Sequence, residues 1–219
     1  MPRIIGSISI VIGLSLAAVS PAVASGTVRL SFDSQWGWAT YSADPAQGGV
    51  LLGPSEEVCL ISPPEEDRCT NGGVPYGFPY GGWYVDSSAY PRAHFMWGPH
   101  INGTTYPASL AVMAFTRSFY LPGSPVSGSI QIAADDFAEV RVNGISAGTI
   151  GSITDIYLAG DAQSYLHPFD ITAYLHSGMN TITVVGQNGP ASYPGCPDEC
   201  KYAQNPAMVI FTGTLTSTT

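Results

Sequence analysis

From about Pro91 onward the chain alternates apolar and polar residues with a period of two, the pattern of strands that bury one face. AHFMW (Ala93 to Trp97) ends at Gly98-Pro99, and AVMAFTRSFYLPG (Ala111 to Gly123) stops at its own Pro-Gly. SGSIQIAA, FAEVRV and ISAGTI follow from Ser127 to Ile150, then NTITVVGQN from Asn180 and AMVIFTGTL from Ala207. Upstream, VRLSF (Val28 to Phe32) alternates in the same way, and shorter apolar runs sit around Val50 and Val58. That makes about ten strands at the spacing of a sandwich. Asn143-Gly144 between two such runs predicts a tight hairpin, because both turn positions need positive φ. ITAYLHSG (Ile171 to Gly178) is the one convincing helical turn, with Asp170 or Thr172 to cap its start and Gly178 its end. Arg117 falls on the face of Phe115 and Phe119, and reads as an edge position whose guanidinium reaches water.

The texture before Pro91 is different. Residues 1–24 read as a signal peptide: Arg3, an apolar run from Ile4, and Pro21-Ala22-Val23-Ala24 as an Ala-x-Ala cleavage site. The apolar run is shorter than the ~20 residues that cross a bilayer. The rest, 25–219, reads as a single β-sandwich domain, irregular and loop-rich over 25–90 and regular over 91–219. Export without membrane insertion is the expectation, to a secreted, extracellular or periplasmic location. With 7 basic against 16 acidic side chains the net charge is −9. Loss of Arg3 makes the balance more negative still. That argues against nucleic acid and anionic membranes as partners, and fits neutral glycans or divalent cations. Export also permits disulfides. The four cysteines allow three pairings, and the local pairs Cys59–Cys69 and Cys196–Cys200 are expected, each closing a short loop with Pro and acidic residues. Neither loop has the Cys-x-x-Cys or His spacing of a zinc site.

Two strings carry a family resemblance: IAADDFAEVRVNG (Ile132 to Gly144) and FDITAYLHSGMNTITVVGQN (Phe169 to Asn188). Together they resemble the galactose-binding-like β-sandwich, a jelly roll found in carbohydrate-binding modules and as the sugar-binding domain beside family 2 glycosidases. The resemblance covers roughly Ala93 to Leu215. It implies an all-β antiparallel sandwich in which the helical turn precedes a core strand, with Ile182 and Val184 pointing inward. It identifies a fold more sharply than a function, since such sandwiches host unrelated activities.

Asp135-Asp136 are adjacent carboxylates at a strand end, which repel unless something positive lies between them. Calcium, a hard cation that takes oxygen ligands, is one answer. ADDFAEVRVNG is also similar to the Asp-Asp corner of the protective-antigen-type domain in yeast flocculin adhesins, and that likeness implies two consecutive aspartates, joined by a cis peptide, holding a sugar-coordinating calcium. The other answer is structural, with both aspartates accepting backbone N–H bonds and shaping the corner. A second candidate is the aromatic run VPYGFPYGGWY (Val74 to Tyr84), where Tyr76, Tyr80, Trp83 and Tyr84 sit among Gly and Pro. Trp36 and Trp38 could extend it. Such rings either stack on the C–H faces of sugars or cover an open end of the core.

Gly144-Ile145-Ser146-Ala147-Gly148 spells Gly-x-Ser-x-Gly, but it follows a hairpin turn and continues as a strand, whereas a nucleophile elbow needs strand, sharp turn and helix. Adjacent aspartates cannot by themselves span a sugar as the acid pair of a glycosidase does. No catalytic residue is therefore assigned. His94, His100, His167 and His176 show no ligand spacing. Asn102-Gly103-Thr104 is a glycosylation sequon. The expectation is a secreted, non-catalytic, lectin-like module that binds carbohydrate or a cell-surface glycan. The alternative is an extracellular structural subunit that self-assembles and takes no small ligand. Standing without an accompanying catalytic domain is expected to favour the latter or a free-standing lectin.

Overall fold

A computed structural model describes residues 26–35, 37–57, 92–98, 110–190 and 207–219. Two antiparallel six-stranded sheets face each other. One is built from β1 (Thr27–Asp33), β4 (Glu56–Glu57), β5 (Met96–Trp97), β7 (Pro125–Asp135), β10 (His167–Asp170) and β12 (Met208–Thr218). Its order is β10-β7-β12-β5-β4, with β1 also beside β12. The other contains β2 (Ala39–Tyr41), β3 (Leu51–Pro54), β6 (Val112–Leu121), β8 (Phe137–Val142), β9 (Ile145–Gly151) and β11 (Gly178–Gln187). Its order is β3-β2-β6-β11-β8-β9. This is the all-β antiparallel sandwich that the sequence leads one to expect.

Alternation decides which residues fill the space between the sheets. Ala138, Val140 and Val142 of β8 are buried, while Phe137, Glu139 and Arg141 between them are not fully so. Ile182 and Val184 of β11 point inward with no exposed surface, and Phe211 and Leu215 of β12 and Ile130 and Ile132 of β7 meet them. Each such side chain contributes about 1.5–3 kcal/mol on burial. Arg117 lies with its guanidinium 5.4 Å from the centre of the Phe119 ring. It is half-buried and stacks on an aromatic face, so the solvated edge position expected for it is only partly realised.

The Asn143-Gly144 hairpin forms as the dipeptide predicts, with φ of 53° and 79°. The expected helical turn forms, in 3₁₀ geometry. Thr172–Tyr174 is a single 3₁₀ turn, and Asp170 Oδ1 does accept the Thr172 N–H at 2.9 Å. Unanticipated from the sequence is α1 (Ile156–Ala162), between β9 and β10, the one α-helix among the described residues. Asp155 caps it by accepting the N–H groups of Tyr157 and Leu158.

The loop between β2 and β3 crosses the outer face of its sheet. Asp44 in that loop meets Arg141 of β8 at 2.6 Å, although β6 and β11 lie between β2 and β8. Arg141 also pairs with Glu139 at 2.8 Å. Hydrogen bonding to Glu139, supported by the fields of Glu139 and Asp44 and opposed by burial, raises the guanidinium pKa above its usual value. Ala114 and Thr183 point outward from the sheet yet are buried, as expected beneath such a strap.

Candidate binding site at the acidic corner

β7 ends at Asp135 and β8 begins at Phe137, so Asp136 alone turns the chain from one sheet to the other. The Asp135–Asp136 peptide bond is cis. Asp135 is buried, and its Oδ1 accepts from Gln163 Nε2, at the C-terminal end of α1, at 2.5 Å. Asp136 Oδ2 accepts the Gly189 N–H at 2.6 Å, and its carbonyl accepts the Ser152 N–H at 3.2 Å. Two glycines permit this packing. A Cβ at Gly189 would stand 2.5 Å from Asp136 Oδ2, and one at Gly151, where φ is +74°, would collide with the Asp136 carbonyl oxygen. Burial pushes the Asp136 carboxyl above its ordinary pKa, while hydrogen bonding with Gly189 and Asp135 works in the opposite direction.

Beside Asp136 the chain leaves β9 and enters α1. Ser152 Oγ accepts the N–H groups of Thr154 at 3.1 Å and Asp155 at 3.0 Å, which fixes the entry to the helix. Between this turn and the chain after β11 lies a cleft of about 120 Å³, lined by Asp136, Ser152, Ile153, Thr154, Ile156 and Pro190 among others. It joins a carboxylate and two hydroxyls to an apolar wall. Next to it, the first turn of α1 exposes Ile156, Tyr157 and Leu158, with Tyr157 87% exposed. Apolar side chains grouped on the surface in this way are the kind of patch that contact sites use.

The other expected site residues divide into two groups. Trp38 is a correction: it is wholly buried, not a surface platform. Its ring meets Phe211 edge-on at 4.7 Å, and its Nε1 donates to the Asp33 carbonyl at 3.0 Å. An indole buried with its N–H satisfied is a core residue. Trp36, Tyr76, Tyr80, Trp83 and Tyr84 lie outside the described residues, as do Cys59, Cys69, Cys196, Cys200, Asn102 and the first 24 residues. Ser146 sits on β9, which continues as a strand after its turn. His167 stacks on Tyr165 at 4.1 Å, remote in role from any ligand cluster. Among the described residues no three His, Cys, Asp or Glu side chains come together as metal ligands. Calcium takes 6–8 oxygens. Among the described residues the corner offers two carboxylates, each accepting an N–H through one oxygen, which is fewer donors than the ion takes.

Comparison with known proteins gives no family model that matches and no curated protein that matches. Solved structures do match. An α-L-rhamnosidase from Streptomyces avermitilis, complexed with L-rhamnose, is 22% identical over 57% of this chain, with a TM-score of 0.41. A lectin from Pleurotus ostreatus in complex with GalNAc is 18% identical over 57% of this chain, at 0.36. A glycosyl hydrolase family 2 member from Bacteroides cellulosilyticus is 13% identical over 87% of this chain, at 0.38. The chain spans 11%, 33% and 20% of those proteins respectively. At such identities the likeness concerns fold alone.

The sequence reading had singled out Asp135 and Asp136 but not the residues that complete their cleft. Ser152-x-x-Asp155 ahead of IYLAGDA is a capping signal that would have located α1. The glycines at 151 and 189 mark close backbone approach only once their neighbour is known.

Proposed function

We propose that the protein is a non-catalytic carbohydrate-binding module that acts outside the cell. The observation that carries this reading is the cleft at the acidic corner. Sugar recognition needs acceptors for hydroxyl groups and an apolar surface for the C–H face of a ring. Asp136, Ser152 and Thr154 supply the first, and Ile153, Ile156 and Pro190 the second. The cleft is smaller than the roughly 300–1,000 Å³ of a site that engulfs a ligand. It suits one edge of a ring, with Tyr157 beside it as a stacking surface. The leader-like first 24 residues and the acidic balance agree with a role on glycans outside the cell.

A glycan array probed with the leader-free chain tests the reading. Retention of a defined set of glycans is expected. Replacing Tyr157 by Ala should weaken that binding by about 1–2 kcal/mol without changing the melting curve, because the ring is exposed. Retention of no glycan at all would remove the proposal.

One feature favours the structural alternative. Among the described strands β3 lies at a sheet edge, and Val50, Leu51 and Leu52 around it are 65%, 58% and 40% exposed. An apolar sheet edge is a template for pairing with another chain. A shift from concentration-dependent oligomer to monomer on Leu51→Lys would support self-assembly through this edge.

A further inference from the structure

The cleft at the acidic corner has a definite sign, and resting on the carbohydrate reading above, that sign selects among sugars. Among the described residues its lining includes Asp136 and Asp155 and no lysine, arginine or histidine. Asp136 makes no ion pair among the described residues, and its carboxylate is met by the Gly189 N–H at 2.6 Å and by the side chain of Asp135. A carboxylate withdrawn from water in this way favours a positive partner. A metal ion is a poorer one here, since among the described residues the walls at Ile153, Ile156 and Pro190 are apolar and add no oxygen ligands from their side chains. An organic ammonium differs from a metal ion in this respect. It needs a few acceptors, which Asp136 and the hydroxyls of Ser152 and Thr154 provide, and it arrives on a carbon skeleton that suits the apolar wall. The net charge of −9 attracts cations to the surface and repels uronic and sialic acids.

We propose that this cleft takes the protonated amino group of an amino sugar, so that the glycan recognised carries free rather than N-acetylated hexosamine. The ammonium pairs with Asp136, and the ring lies against Ile153 and Ile156. An acetamide at the same position carries no charge and leaves Asp136 without its partner. A carboxylated sugar brings a second negative charge to it.

The test is calorimetric titration of the leader-free chain at low salt with glucosamine, N-acetylglucosamine and glucose tetramers, and with lysine amide as a non-sugar amine. The glucosamine tetramer should bind about tenfold more tightly than the two neutral tetramers, and that margin should shrink as salt is added. Lysine amide should bind far more weakly. In Asp136→Asn the preference for the amine should fall to parity. Should that variant fail to fold, Ile153→Lys, which sets a fixed cation in the cleft wall, should abolish the preference instead. Equal binding of all three tetramers overturns the proposal and leaves the carbohydrate reading standing. So does a preference that survives in a folded Asp136→Asn or Ile153→Lys variant. Lysine amide binding as tightly as the glucosamine tetramer overturns the sugar assignment. Failure of every glycan to bind overturns the carbohydrate reading, and this inference with it.

Discussion

Asn143 Nδ2 donates to Asn180 Oδ1 at 3.0 Å, tying the hairpin between β8 and β9 to the turn that leads into β11. Asn180 is wholly buried and satisfied on both sides. Its Oδ1 also accepts the His176 N–H, and its Nδ2 donates to the carbonyls of His176 and Gly178. Replacing Asn180 by Leu keeps the volume and strands these partners. An unsatisfied buried group costs about 1–3 kcal/mol, and several are left here, so a loss of roughly 3 kcal/mol or more is expected. Urea unfolding would show it as a lower midpoint with an unchanged slope. A variant as stable as the wild type would mean that water replaces the amide without cost.

Arg141 should behave as a clasp more than as a core residue. Removing it with Ala releases the loop around Asp44 from the outer face of its sheet and leaves Asp44, which is nearly buried, without its cation. Asp44 still accepts the Ala46 N–H at 2.9 Å, so the loop keeps its local turn. The pair is partly open to solvent, which places the cost below the 3–5 kcal/mol of a fully buried pair, at about 1–3 kcal/mol. The more specific readout is hydrogen exchange. Amides around Val50 and Ser42 should lose protection while those of β11 keep theirs, and uniform loss along the chain would contradict the strap.

Much of this architecture was legible because alternation in a sandwich is tied directly to burial. Ile182 and Val184 point inward, and the Asn143-Gly144 turn forms, for reasons their own residues state. Trp38 was misread because an aromatic beside Gly has the same local signature whether it is displayed or buried. What buries it is Phe32, Phe119 and Phe211, contributed by three other strands. The cleft was half legible. Asp135-Asp136 stands out in the sequence, but Gly189 and Ser152 meet Asp136 only through the sheet order that brings β9 and β11 to either side of β8.

The raised pKa of Asp136 sets the sign of a pH effect. Below the ordinary value of 3.8 the group is protonated whether the chain is folded or not, and it carries no penalty. Between 3.8 and its higher folded-state value the unfolded chain releases the proton first, so stability falls as pH rises through that window and then levels off. Asp170, whose carboxyl is held below its usual value by hydrogen bonding to Thr172, contributes the opposite slope. Comparison of wild type with Asp136→Asn cancels everything but the first effect. The Asn variant should gain on the wild type as pH rises from acid towards neutral. Parallel stability curves would show that Asp136 titrates normally.

Calcium is the remaining test of the acidic corner. An ion that binds only the folded state at a hundredfold excess over its Kd adds about 2.7 kcal/mol, enough to raise the melting temperature by roughly 5–10 °C in a chain of this size. No such rise is expected. Asp135 Oδ1 is engaged by the Gln163 amide and Asp136 Oδ2 by the Gly189 N–H, and the described residues bring no third His, Cys, Asp or Glu to the corner. Gln163 satisfies Asp135 with a hydrogen bond from the end of α1. Gln163→Ala should therefore cost about 1.5–3 kcal/mol, the usual worth of a hydrogen bond to a charged group, with or without calcium present. A melting temperature that climbs by several degrees with calcium in the wild type, and not in Asp136→Asn, would reverse this account and make the two aspartates metal ligands.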